Sequence, residues 1–220
     1  GQARTRPALF LYPRAMFGSA IPIHVIDYEG APAYGVVEYG VATLVGGQIT
    51  ETYTRLCRAH APIDPHDVAV HGISYQESLQ HSPFEDDYDF FVGLRRRGPL
   101  AAHNARYEDR LTKLAWSFPP LVPAFHAPGE QATWGPWIDS CALARKLAPG
   151  LPRYKLQVVV EELGLQNELT ALALDKCPEN RAMYHAALYD ALAAALILKK
   201  FLAETPAQLW TEERIFSVKG

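Results

Sequence analysis

Two β-rich runs, residues 36–45 and 48–57, meet at the dipeptide Gly46-Gly47. Two glycines between strands supply the positive φ angles of a tight hairpin, so the runs are expected to pair antiparallel. Upstream, residues 21–28 alternate and then turn apolar at Ile23, Val25 and Ile26, the pattern of a buried strand that ends on the acids Asp27 and Glu29. The first three strands therefore predict an antiparallel meander. Downstream, short apolar runs at 100–103 and 137–140 read as strands. Helices are expected over 82–95, from about 106 with Tyr107, Leu111, Leu114 and Ala115 on one face, and over 141–147, 154–163 and 181–202. A meander followed by strands alternating with helices is an α/β pattern: a mixed five-stranded sheet flanked by helices. Residues 119–137, rich in Pro, Gly and Ala, read as a long surface loop and a candidate lid.

A chain of 220 residues, 49% of them hydrophobic, can bury one full core, and 20% charged residues exclude a disordered or fibrous chain. The net charge of −3 offers nucleic acid no overall attraction, unless bound cations neutralise some of the carboxylates. Cys57, Cys141 and Cys177 are odd in number and far apart, which fits neither a zinc site nor a secreted disulfide framework and suggests a reducing, cytoplasmic setting. Arg4, Arg6, Pro7, Pro13 and Arg14 interrupt the first 20 residues, so no signal-peptide core is expected there. No stretch has transmembrane length, and no membrane partner is expected.

Three short constellations carry the chemistry. In Asp27-Tyr28-Glu29 the acids lie two apart on a strand and share a face, so both can reach one hard cation. In the stretch from His103 and Asn104 to Glu108 and Asp109, a strand turns into a helix and places two acids in its first turn, where they also complement the helix dipole; Asn104 reads equally as a cap. His185 and Asp190 sit on the expected 181–202 helix, five positions and about 140° apart, able to approach one centre from different sides. Singly, each is as readily a solvated surface feature.

In this order, D-x-E, H-N-A-x-Tyr-acid and H-x-A-x-x-D, the motifs resemble the DEDDh 3′-to-5′ exonuclease family. The segments Val37-Glu38-Tyr39-Gly40-Val41-Ala42, Val70-His71-Gly72-Ile73-Ser74 and Ile138-Asp139-Ser140 are similar to further stretches of that family, and the likeness spans residues 21–202. It divides the chain into an N-terminal extension (1–20), an exonuclease domain (21–203) and a C-terminal tail (204–220).

The resemblance implies an RNase H-like fold and two Mg²⁺ or Mn²⁺ ions held by Asp27, Glu29, Glu108 and Asp190. His185 would be the general base, since imidazole titrates at about 6.5. The family has Asp where this chain has Glu108; Asp109 follows it, but one helical step turns the side chain by about 100°, and Glu108 shares a side with Leu111 and Ala115. Tyr28, His71, Gly72, Ile73, His103 and Asn104 match positions that cradle the terminal nucleotide. The basic run Arg95-Arg96-Arg97, with Arg153 and Lys155, is a candidate phosphate path. The implied partner is the 3′ end of single-stranded nucleic acid, with DNA favoured, and a homodimer is compatible with the family. Two rivals are a degenerate nucleic-acid-binding or scaffold protein whose metal site Glu108 has spoiled, against which the retained His185 counts, and a metal-dependent hydrolase of small nucleotides.

Overall fold

The computed structural model describes residues 21–125, 129–204 and 216–218, the last three as backbone. The expected 1–20 extension and most of the 204–220 tail lie outside the described residues. The meander forms as anticipated: β1 (Ile23–Ala31), β2 (Gly35–Val45) and β3 (Gln48–Leu56) pair antiparallel in sequence order. Val45 pairs with Gln48 across Gly46 and Gly47, whose φ angles of 54° and 78° give the hairpin its tight turn.

Helices α1 (Pro65–His71) and α2 (Tyr75–Ser78) follow, then a 3₁₀ turn and α3 (Tyr88–Arg97). The chain re-enters the sheet at β4 (Leu100–Ala102), parallel to β1, and leaves through α4 (Arg106–Ala115). A side hairpin, β5 (Leu121–Pro123) with β6 (Glu130–Ala132), precedes β7 (Trp137–Asp139), which lies parallel to β4. Helices α5 (Ser140–Leu147), α6 (Leu156–Glu162), α7 (Gln166–Lys176) and α8 (Ala187–Glu204) come next. The strand order is β3-β2-β1-β4-β7, the mixed five-stranded sheet expected, with a short sixth strand β8 (Phe216–Val218) antiparallel to β7 at its edge.

Side-chain alternation divides β1 between two cores. Ile23 and Val25 join Ala42 and Leu44 of β2 against the almost wholly buried α8. Ile26 and Tyr28 join an aromatic core that holds Phe84, Phe91, Trp116, Trp134 and Trp137. Gly40 sets the approach of α8: a Cβ there would lie 2.3 Å from the backbone of Ala187 and Leu188, so only glycine lets the helix rest on β2.

Four expectations need correction. β1 runs on to Ala31, so Asp27 and Glu29 lie within the strand rather than at its end. The last helix begins at Ala187, not near residue 181, because His185 has φ 65° and a left-handed residue cannot continue an α-helix. On α4 the buried residues are Glu108, Asp109, Leu111 and Thr112, whereas Tyr107 and Leu114 face outward. Residues 119–137 are no free lid: buried Arg95 donates to the carbonyls of Trp134 (3.0 Å), Pro123 (3.0 Å) and Gly135 (2.6 Å), pinning the base of the β5–β6 hairpin. Arg95 therefore leaves the phosphate path inferred for the basic run.

Candidate active site

Asp27 and Glu29 share the sheet face that α8 covers, and their cross-strand partners are Gly40 and Glu38. Glu38 is buried and takes up several donors at once. The backbone N–H of Ala187, at the start of α8, donates to its Oε2 (2.9 Å), and Arg181 donates to both carboxylate oxygens. The same guanidinium reaches the carbonyls of His71 (2.6 Å) and His185 (3.2 Å). The Asp190 carboxylate accepts from the backbone N–H of His185 at 3.1 Å. These bonds hold His185 in its left-handed turn, exposed at the mouth of the site.

Glu29, His185 and Asp190 bring one ligand atom each to within 4.8 Å of one another. From the other side, α4 delivers Glu108. Burial, followed by the charges of Asp190, Glu29, Glu108 and Glu38, drives the Asp27 carboxyl well above its ordinary range. Burial is likewise the main cause for its neighbours: Glu29 rises to about 8, with Asp190 and Glu38 adding to the effect, Glu108 to about 8 and Asp190 to about 7. Four acids thus face one another with too few cations to balance them.

Asp109 is not among them. Its Oδ1 accepts from the Trp137 indole (2.9 Å) and its Oδ2 from Lys113 (2.8 Å), so it ties α4 to β7. The 100° step between neighbouring helical residues separates the two acids as the sequence suggested. Two carboxylate oxygens, Glu108 Oε2 and Asp190 Oδ1, are buried without a hydrogen-bond partner among the described residues. Hard, orphaned oxygens amid crowded acids are the donor set that divalent Mg²⁺ or Mn²⁺ requires, so these residues fit such ions.

Next to His185 opens a cavity of about 500 Å³, whose lining includes His71, Gly72, Ile73, Arg181 and Tyr184. His71 Nδ1 accepts from the Ile73 backbone (3.1 Å), while its Nε2 is buried with no partner among the described residues. Gly72, with φ 77°, ends α1 there. These three expected binding residues meet at the site.

Three others do not meet it as expected. The Tyr28 ring points to the opposite sheet face, hydrogen-bonded to Thr112 (3.1 Å) and packed on Phe84, so only its backbone borders the acids. His103 spends both ring nitrogens within the protein, Nδ1 on the Ser140 hydroxyl (2.8 Å) and Nε2 on the Tyr154 carbonyl (2.9 Å). Asn104 does not cap α4, whose N-cap is Ala105; it turns left-handed at φ 69° and gives its N–H to Asp139 Oδ1 (3.0 Å). Arg181 lies in no motif of the sequence; its signal is Glu38, an acid on a central strand facing a helix and in need of a cation.

No family model matches the chain. Among curated proteins it is 29% identical over 191 residues to the PolC-type DNA polymerase III of Thermotoga maritima, which covers 84% of this chain and 12% of that protein. It is 26% identical over 199 residues to exodeoxyribonuclease 10 of Escherichia coli K12, covering 90% of this chain and 75% of that one. Both likenesses support a relation to the DEDDh 3′-to-5′ exonucleases. Its fold agrees: a solved structure of exonuclease X with 5′-overhanging duplex DNA superposes with a TM-score of 0.62 at 24% identity, covering 90% of this chain and 99% of that one. That likeness is one of fold, and the RNase H-like sheet is the scaffold on which these acids converge. The chain spans only 12% and 10% of the length of the two PolC-type proteins it matches.

Proposed function

We propose that the protein is a metal-dependent 3′-to-5′ exonuclease that hydrolyses the terminal phosphodiester of single-stranded nucleic acid, DNA favoured, to nucleoside 5′-monophosphates. The convergence of Asp27, Glu29, Glu108 and Asp190 beside an exposed His185 carries this reading. The four acids would hold two Mg²⁺ or Mn²⁺ ions. When bound, such ions stabilise charge on the attacking and leaving oxygens.

In the reaction, His185 takes a proton from the water whose oxygen attacks the phosphorus. The bond from phosphorus to the 3′ oxygen of the preceding nucleotide breaks, and that oxygen leaves with a proton as the new 3′ hydroxyl. His71, Gly72 and Ile73 border the cavity beside His185 and are suited to receive the terminal nucleoside. The three free thiols fit a reducing, cytoplasmic compartment, and none of the described helices is long and apolar enough to cross a membrane.

The test is degradation of 3′- and 5′-labelled DNA and RNA oligomers in Mg²⁺, Mn²⁺ or EDTA, beside His185→Ala. Stepwise shortening from the 3′ end that needs metal and falls by a factor on the order of 10² to 10⁴ in the variant supports the proposal. Binding without cleavage in either metal would overturn it.

A further inference from the structure

Helix α4 has two working sides. Inward, it presents Glu108 to the acids. Outward, Arg106, Arg110 and Lys113 follow one another at i, i+4 and i+7, all exposed on one stripe of the helix. With Asn104, Tyr107 and Leu114 they line an open groove of about 550 Å³. Asp109, the acid that borders this groove, is already engaged by Lys113 and Trp137. Neither Arg106 nor Arg110 forms an ion pair among the described residues.

One wall of the groove, Tyr107, touches β1 next to the acids. The Tyr107 hydroxyl donates to the carbonyl of Gly30 at 2.8 Å, and Gly30 directly follows Glu29. A surface that begins beside the acids and carries two uncompensated guanidiniums is unusual in a chain of net charge −3. Its apolar members, Tyr107, Leu114 at 57% exposure and, just beyond the helix, Phe118 at 87%, interleave with the cations. Cations alternating with exposed rings suit a strand that offers both phosphates and stackable bases. From Arg106 to Lys113 the helix rises about 10 Å, enough to face more than one phosphate of the same strand.

We infer that this outer face of α4 holds the sugar-phosphate backbone of the nucleic acid several nucleotides from the cleaved linkage, making the enzyme favour long strands over short ones. The inference rests on the exonuclease reading above and assigns that site's extended substrate path to Arg106 and Arg110 rather than to Arg95, which is buried.

The experiment compares kcat/KM on a trinucleotide and on an oligomer of about 20 nucleotides, at several salt concentrations, for the wild type, Arg106→Ala/Arg110→Ala and Arg106→Lys/Arg110→Lys. Within each enzyme the ratio of long to short is read, so a general loss of folded protein cancels. The Ala pair is expected to lower that ratio about tenfold and to reduce the slope of log(kcat/KM) against log salt for the long strand by about 1.4 units, two single-strand phosphate contacts. The Lys pair is expected to keep most of both. An unchanged ratio and slope in the Ala pair would overturn the inference while leaving the exonuclease reading intact. A wild type that cleaves neither substrate would overturn both.

Discussion

Arg181 and Glu38 are 143 positions apart in the chain, yet the guanidinium donates to both oxygens of the buried carboxylate. Because it also holds the carbonyls of His71 and His185, one side chain fixes the cavity rim and the proposed general base relative to β2.

Arg181→Ala is therefore expected to cost about 3 kcal/mol or more in urea denaturation, since Glu38 would remain buried with one backbone donor and no cation. The kcat of the folded fraction should fall as well, because the His185 turn loses its anchor. A variant as stable and as active as the wild type would contradict this account.

Glu108→Gln and Asp109→Asn should separate cleanly. The first is expected to reduce exonuclease kcat by about 10² or more, with little loss of stability, because the neutral amide stands in for a carboxyl that burial already keeps protonated near neutral pH. The second should cost about 1–3 kcal/mol through the Trp137 and Lys113 hydrogen bonds while leaving most of the activity. Parallel melts and labelled-oligomer kinetics would check both, and the reverse pattern would make Asp109 the third acid.

The raised carboxyl groups fix a pH dependence. Glu29 and Glu108 at about 8 and Asp190 at about 7 keep protons in the folded chain that the unfolded chain has released above the ordinary carboxylate range. In EDTA, stability should accordingly fall as pH rises from about 4.5 through about 8. Mg²⁺ or Mn²⁺ competes with those protons, so its stabilising effect should grow over the same window. Thermal midpoints measured with and without metal test the sign; a metal-free midpoint that rises with pH would refute it.

Gly40→Ala should be among the most damaging small substitutions in the sheet. The added methyl meets the backbone of Ala187 and Leu188, not a side chain that can swing away. We expect a loss of about 1–3 kcal/mol together with reduced kcat, because α8 carries Asp190. Full activity and stability in this variant would mean that helix and sheet can part without cost.

The meander was legible because its signals are local: apolar alternation in β1 and two glycines at the β2–β3 turn. The helical angle favoured Glu108 over Asp109, and the two acids do turn to different partners, Asp109 binding Trp137 and Lys113. The placement of His185 was not legible in this way, since an apolar, alanine-rich run reads as helix from residue 181. Its true start is set by Glu38, far away in the chain, capturing the backbone N–H of Ala187, and by Asp190 capturing that of His185. Arg95 misled for the same reason: a basic triplet at a helix end looks solvated until the three carbonyls it binds, about 30–40 positions away, are known. The ring of His103 is likewise spoken for by groups brought from α5 and the segment before α6.

The alternation along β1 has an evolutionary side. Asp27 and Glu29 look toward α8, while Ile26 and Tyr28 look into the aromatic core. Deleting or inserting one residue upstream would exchange these roles, driving two carboxylates into aromatic packing and leaving a tyrosine among the acids. Lineages of this chain can therefore drift by substitution in β1 but not by changes in its length: the inheritance of the fold and that of the chemistry are bound to one reading frame of the strand.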